Sequence, residues 1–529
     1  MPGIGGRYRP DRGAELGFGR QAVGVRPRKA RWLLPDGGLS GLLALGRGRR
    51  QAAGLFNDDC RWHEIAYGAT GGVAMTGHQA EKVVIVGAGP AGIRAAEALV
   101  KANIKPVVID EGAKAGGQIY RRPPEGFTRS PSALYGSEAR KAAALHATFD
   151  RMIAAEEIDY YPLSSALAMS GNLLQALTPK GRKDFIYDRL ILATGAMDRL
   201  APIPGWQAPG VYSLGATQIA LKAQGVALGS KIVLAGSGPL LTLVATQLLK
   251  AGADIAAILD TSAVRAQIGG LWGMLSRPGL VLRGLLMRAK LGRLYRAGVK
   301  LEWIESDENG PVALHWQDAA GKAQTTSCDM VGLGWHLRAE TQLAGLAGCS
   351  FVYDEDWCQW LPRADRSGRA AERLYLAGDG LRILGADGAE VAGRLAAYAC
   401  LADMGLASPD NAADLRRLDR IERFARGMAG AFPWPREMIR SVPDDTVVCR
   451  CEGVTAGQLR DSVDYGGAEA NRVKSLARVG MGRCQGRFCQ LAGAELIAGK
   501  ADIAVCAAGR LREQAPVRPL PIGEWIRGA

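Results

Sequence analysis

Lys82-Val-Val-Ile-Val-Gly87-Ala-Gly89-Pro-Ala-Gly92 is the stretch that decides the fold. A short apolar run, a Gly-x-Gly-x-x-Gly turn and the helical pattern Ile93 to Lys101 read as a buried strand feeding a helix. Gly87 permits the tight turn, Gly89 lets the backbone approach a pyrophosphate, Gly92 lets helix pack on strand, and the helix N-terminus faces the phosphate charge. The pattern alone is weak, but in this strand–turn–helix context it predicts a dinucleotide loop. The next strand, Pro106-Val-Val-Ile-Asp110-Glu111, ends in acid at the spacing of a ribose acceptor. Asp110 is expected in that role, with Glu111 the neighbouring alternative.

Three further segments follow in order. Lys114-Ala-Gly116-Gly117-Gln118-Ile-Tyr120 comes directly after the acid, Leu190-Ile-Leu-Ala-Thr194-Gly195 is a strand ending in a turn, and Leu374-Tyr-Leu-Ala-Gly378-Asp379-Gly380 precedes a helix beginning near Ala389. Together they resemble flavoproteins with two dinucleotide-binding domains. The resemblance implies that the Gly117-Gln118 turn runs along FAD, that Thr194-Gly195 forms the Ala-Thr-Gly turn of that group, and that Asp379 beside Gly378 meets the ribityl and phosphate part. FAD is the expected first nucleotide.

A second loop, Lys231-Ile-Val-Leu-Ala-Gly236-Ser-Gly238-Pro-Leu-Leu241, opens an inserted domain. Leu241 replaces the third glycine, which weakens close helix packing, and Asp260 closes the next strand where an acid favours a free ribose. A vestigial or structural adenine-nucleotide site is expected here in preference to working NAD(P)H. The uncharged run Ile232 to Leu249 is long enough to suggest a membrane helix. Its Gly-Ser-Gly-Pro interior makes it strand, turn and buried helix, and no transmembrane segment is expected.

Cys449, Cys451, Cys484 and Cys489 form Cys-x-Cys, thirty-two residues, then Cys-x4-Cys. Four thiolates suit a two-iron cluster, and the glycines in Gly480-Met-Gly-Arg-Cys484-Gln-Gly-Arg-Phe-Cys489 let amides point at sulfur. A [2Fe-2S] centre is expected, with structural zinc or two disulfides as alternatives. The other six cysteines show no framework spacing, which points to a reducing compartment. No Cys-x2-Cys or Cys-x4-Cys precedes residue 449, which argues against a disulfide reductase, and the five histidines sit in no metal or nucleophile pattern.

The formal charge of +14 raises nucleic acid as a partner, but twelve Arg and Lys against six acids lie in the first 74 residues. No basic stripe interleaved with aromatics accompanies the rest, and no nucleic-acid partner is expected. Residues 1–79 read as an Arg/Gly-rich extension, either transit-like or untranslated with Met75 the true start; the latter is preferred. Thr261 to Lys300 carries eight basic residues and no acid. One wet basic face explains that, and the apolar Leu271, Trp272, Met274 and Leu275 offer a docking surface. The expected organisation is α/β: an FAD domain over 80–204 and 336–405, an inserted NAD-type domain over 205–335, a helical linker over 406–445, a small helical [2Fe-2S] domain over 446–510 and a tail over 511–529.

With the tail Pro516-Val-Arg-Pro-Leu-Pro521, these motifs resemble the alpha subunit of opine oxidases, and are similar to cyanide-forming glycine dehydrogenase and to dye-linked proline and D-hydroxyproline dehydrogenases. The likeness covers about residues 80 to 525, and its cysteine module resembles the bacterioferritin-associated ferredoxin-like domain. It implies a separate oxidase-like flavoprotein subunit that oxidises the C–N bond of an amino or imino acid. This chain would relay electrons through FAD and cluster to a respiratory or dye-type acceptor, so no catalytic acid or base is assigned. A cytoplasmic protein is expected, including one seated peripherally on the inner face of the membrane. The competing enzyme reading is a self-contained NAD(P)H:acceptor reductase, and the non-enzymatic one an iron-sensing scaffold.

Overall fold

The Val83–Val86 strand is buried at every position and sits in a six-stranded sheet. Val107–Ile109 and Asp159–Tyr161 lie on one side of it, Arg189–Leu192 and Leu374–Leu376 on the other, all parallel. Arg369–Ala371 adds an antiparallel edge. Strands enclosed on both faces read as unbroken Val/Ile/Leu runs, as Val83–Val86 and Val107–Ile109 do. The computed structural model describes residues 81–123, 126 and 130–527. The Arg/Gly-rich extension and Met75 lie outside them.

Helix Pro90–Lys101 packs against Gly385–Asp403, and Gly393 makes the approach possible, since a Cβ there would lie 2.1 Å from the Ala91 carbonyl oxygen. Arg94 ties the same pair together through Glu390 and also pairs with Glu97 on its own helix. A three-stranded antiparallel sheet, Ser165–Ser170, Leu173–Thr178 and Gly181–Ile186, covers the opposite face.

The design then repeats. A second parallel sheet is ordered Tyr295–Ala297, Asp254–Asp260, Lys231–Ser237, Met330–Trp335 and Val211–Ser213, and it too has a three-stranded antiparallel companion. The uncharged run is indeed divided, into Lys231–Ser237 and helix Pro239–Lys250. Among the described residues no helix is long and apolar enough to cross a membrane.

Beyond these lie helices Ala412–Ala431 and Arg436–Arg440, the ribbon of Val447–Cys449 with Val454–Thr455, and helices Ala456–Gly466, Ala470–Ala477, Gln490–Ala501 and Val505–Ala508. Thr455 and Gln458 close a capping box that fixes where the first of these last helices begins. Trp206 from the second half donates its ring N–H to the Val447 carbonyl at 2.5 Å, and one apolar core joins the two parts. The final segment straps the first half: Val517 is buried and its N–H donates to the Leu167 carbonyl.

In the basic stretch the apolar residues divide. Met274 is buried with Phe432, whereas Trp272 and Leu275 are exposed. Gly270 and Gly273 lie against Gly427 of helix Ala412–Ala431, where added Cβ atoms would come within 3.0 Å of its backbone.

Candidate functional site

The first glycine loop has the geometry its sequence requires. Gly87 has φ +107°, and a Cβ there would meet the Ala193 carbonyl oxygen at 2.3 Å; a Cβ on Gly92 would meet the Gly87 oxygen at 1.7 Å. Gly89 differs, because its nearest neighbour would be the Gly117 Cα at 3.7 Å. Gly117, at φ +63°, faces it, so two glycine turns line one cleft with bare backbone. Helix Pro90–Lys101 opens there with no side-chain cap at Gly89, which leaves its first-turn N–H groups free for an anion.

Thr194 and Gly195 close the far wall. The Thr194 hydroxyl donates to the Glu340 carbonyl at 2.6 Å, and the Glu340 N–H returns to the Gly195 carbonyl. Gly378, at φ +70°, abuts Ala91 at the helix head. Asp379 accepts from the N–H groups of Leu384 and Gly385 through one oxygen, and burial lifts its carboxyl to about 6. Gln118 lies at the cleft's outer end, holding Arg121 at 2.6 Å.

The two acids part company. Asp110 turns into its own loop, accepting from Ala88 N–H at 2.5 Å and Gly112 N–H at 2.6 Å; burial raises its carboxyl despite those bonds. Glu111 is exposed and pairs with Arg518 of the C-terminal strap at 2.7 Å.

Around the second loop the chain's own side chains occupy the key groups. A Cβ on Gly236 would lie 1.8 Å from the Gly334 oxygen, and one on Gly238 would lie about 3.2 Å from the His336 ring. His336 is edge-on to Trp357 and Phe432, and burial, with Arg199 nearby, presses its pKa down to about 4. Asp260, 1% exposed, accepts from the Tyr295 hydroxyl, from Ser262 N–H at 2.8 Å and from Gln267 at 3.3 Å, with Arg288 beside it. Leu241 fills the core where a third glycine would have brought helix and strand closer.

The four cysteines converge as two thiol pairs, Cys449 with Cys489 and Cys451 with Cys484. All nine described cysteines are free thiols. Among the described residues no three potential ligands close around a single ion. Two pairs held side by side suit a cluster in which each iron takes two thiolates. Gly482 brings the cysteine loops together, since its Cβ would lie 2.3 Å from that of Cys451. The Cys489 thiol donates to Cys449, as do the amides of Gly480, Glu452 and Cys451, and Cys449 falls to about 6 while Cys489 rises well above its ordinary value. The amide and thiol donors around Cys449 favour its thiolate form, which is the form that binds metal. Cys449 and Cys489 are buried, whereas Cys451 is exposed at the outer edge.

A buried polar junction joins this loop to the flavin half. Glu340 accepts from Arg487 Nε at 2.6 Å, and Arg487 also donates to the carbonyls of Cys484 and Val517. Arg338 donates to the Arg487 carbonyl at 2.6 Å and to Gln490, and Gln342 to the Gln485 carbonyl at 2.7 Å. A hydrogen-bonded chain thus runs from Thr194-Gly195 through Glu340 and Arg487 to Cys484. Sequence reading missed this junction. Its only local signal was the alternation of charged and polar residues in Arg338-Ala-Glu340-Thr-Gln342.

Residues 81–268 match the pyridine nucleotide-disulphide oxidoreductase family, and residues 447–499 match the BFD-like [2Fe-2S] binding domain. The chain is 35% identical over 461 residues to an opine oxidase subunit of Rhizobium meliloti, covering 84% of this chain and 86% of that protein. The chain belongs to this opine oxidase subunit family. Hydrogen cyanide synthase subunit HcnB of Pseudomonas aeruginosa is 30% identical over 84% of this chain and 97% of that one. In three dimensions it is similar to an L-proline dehydrogenase from P. horikoshii, with TM-score 0.62, 18% identity, and coverage of 84% of this chain and 79% of that one. That likeness shows the fold. As a member of this family the chain is an FAD- and [2Fe-2S]-dependent oxidoreductase, the electron-transferring subunit of a heteromeric dehydrogenase. The open Gly89–Gly117 cleft and the paired thiols fit both groups.

Proposed function

We propose that this chain receives electrons from an oxidase-like flavoprotein subunit that oxidises an amino or imino acid such as an opine, a proline derivative or glycine, and forwards them to a respiratory or dye-type acceptor. The carrying observation is the junction through Glu340 and Arg487, which fixes the cysteine loop against the Thr194-Gly195 turn. FAD supplies a centre that takes electrons in pairs and releases them singly, and the cluster one that carries single electrons; the protein's part is to hold them in fixed relation and away from water.

The residues that would hold the first nucleotide are Gly87, Gly89, Gly92, Gly117, Gln118, Thr194, Gly195, Gly378 and Asp379. Asp110 braces the loop, which leaves Glu111 as the better-placed ribose acceptor. Cys449, Cys451, Cys484 and Cys489 would hold the cluster. The second loop favours the non-nicotinamide reading, because Asp260 and Gly238 are already engaged by Tyr295, Ser262 and His336. The extents of the two sheets and of the cysteine module support domain limits near 204, 336, 405 and 446. The unpaired cysteines support a reducing, cytoplasmic setting.

Co-expression tests the reading. Purified with an oxidase-like flavoprotein partner, the chain should support dye-linked oxidation of one of these substrates. If the partner by itself reduces the dye as fast as the pair does, the relay role is wrong.

A further inference from the structure

Lys222 is a buried cation with no counter-charge. It is 4% exposed, it has no ion pair among the described residues, and its Nζ donates only to the Ile119 carbonyl, at 3.4 Å. Burial, with Arg121 nearby, presses its ammonium down to about 8. A buried charge is costly unless it is paired, and no described protein group pairs this one.

The fold delivers this ammonium to the flavin cleft from the second half of the chain. Asp198, on the strand that follows Thr194-Gly195, accepts from the Ser213 hydroxyl and from Gly215 N–H at 3.1 Å, which anchors the start of helix Leu214–Ile219 to that wall of the cleft. The helix continues as a wider π-turn, Ala220–Gln224, ended by left-handed Gly225. Turns of this kind inside helices often mark functional sites. From it Lys222 reaches Ile119, just beyond Gly117 and Gln118 on the opposite wall. The helix and its lysine thus span the cleft from one glycine turn to the other.

We propose that Lys222 is a further flavin-site residue, whose charge offsets the negative charge that FAD gains on reduction and so raises its reduction potential. The inference rests on the reading that FAD occupies the Gly89–Gly117 cleft. A nucleotide whose ribose meets Glu111 and whose pyrophosphate meets Gly89 and Gly117 presents its flavin end toward Ile119 and Lys222. A flavin that takes up two electrons from the donor subunit and one proton from solvent gains one negative charge. That charge is the counter-ion Lys222 lacks. The pyrophosphate does not require it, because the uncapped start of helix Pro90–Lys101 already offers N–H donors there. An opposite charge at close range favours a charged form by about tenfold to a thousandfold.

The test is an anaerobic redox titration of the full chain with FAD and cluster bound, following flavin absorbance against a reference dye. Lys222→Met and Lys222→Gln should each make the flavin at least about tenfold harder to reduce, a fall of about 30 mV for a two-electron couple. Lys222→Arg keeps the charge and should stay within about threefold of wild type. Flavin content should be the same in all three. The Tm of Lys222→Met should not fall, because methionine fills much the same volume without an unpaired buried charge. A merely structural lysine would do the reverse, lowering Tm and leaving the potential where it was. An unchanged potential in the Met and Gln variants, or an equal fall in Lys222→Arg, overturns the proposal. So does loss of flavin from Lys222→Met, which would assign the charge to the pyrophosphate. Failure of the cleft reading itself is seen separately, as full flavin retention in Gly89→Val.

Discussion

Replacing Glu340 by Gln should loosen the cysteine loop from the flavin half by a measurable amount. The side chains of Arg487 and Glu340 are 5% and 10% exposed, and the variant leaves the guanidinium buried without its counter-charge. Removing one partner of a buried ion pair costs about 3–5 kcal/mol. Two backbone carbonyls still accept from Arg487, and the glutamine oxygen can accept a weaker bond, so the lower end, about 3 kcal/mol, applies here. Local opening of residues 485–490 should then rise about a hundredfold. Hydrogen exchange followed by mass spectrometry reads this directly: the 485–490 amides should speed up while those of Val83–Val86 do not. The pH dependence carries a definite sign. Burial pushes Glu340 upward, but Arg487, Arg518 and Arg338 outweigh it and hold the carboxyl below its ordinary value. The pair's contribution is therefore present at neutral pH and is lost as the pH falls through that depressed value, so acid should mimic the substitution. Unchanged exchange in Glu340→Gln, or a coupling to Arg487→Met below about 0.5 kcal/mol in a double-mutant cycle, would refute the reasoning.

Other substitutions separate the two centres. Gly89→Val should leave a folded protein without FAD, because its side chain would enter the open cleft and meet little protein; full flavin absorbance in the variant would show that the cleft is not the pyrophosphate site. The wild-type chain should contain about two iron and two acid-labile sulfide, whereas stoichiometric zinc without sulfide would replace the cluster with a structural metal. Cys484→Ser or Cys489→Ser should lower the iron content and slow onward electron transfer with flavin still bound, since the cysteine module is built from its own helices.

What the sequence made legible was local. The roles of Gly87 and Gly92 follow from backbone contacts within a few residues of the turn or at the end of the adjacent strand, and four motifs in a fixed order marked the flavin sheet. That the four cysteines form one centre was legible from their two short spacings, whereas their pairing across the two loops, Cys449 with Cys489 and Cys451 with Cys484, was not. Asp110 and Glu111 were harder to separate, because neighbouring residues at a strand end point in different directions and only the loop's own N–H groups decide which turns inward. The Glu340–Arg487 junction joins positions 147 residues apart, and no periodicity announces such a contact. Nor does pattern alone reveal that Leu282, Leu285 and Leu286 of helix Pro278–Leu291 face outward: this helix is apolar on two sides, and only the position of its neighbours tells which side is covered.

The relay claim is tested most directly by anaerobic flavin bleaching of the purified single chain with FAD and cluster in place. Opines, proline derivatives, glycine, NADH and NADPH should each leave the flavin oxidised on the timescale of turnover, and adding the oxidase-like subunit with its amino-acid substrate should bleach it. Rapid bleaching by an amino or imino acid without the partner would place the oxidation site in this chain, and rapid bleaching by NADH or NADPH would show that the second loop binds a working nicotinamide; either result would contradict the account.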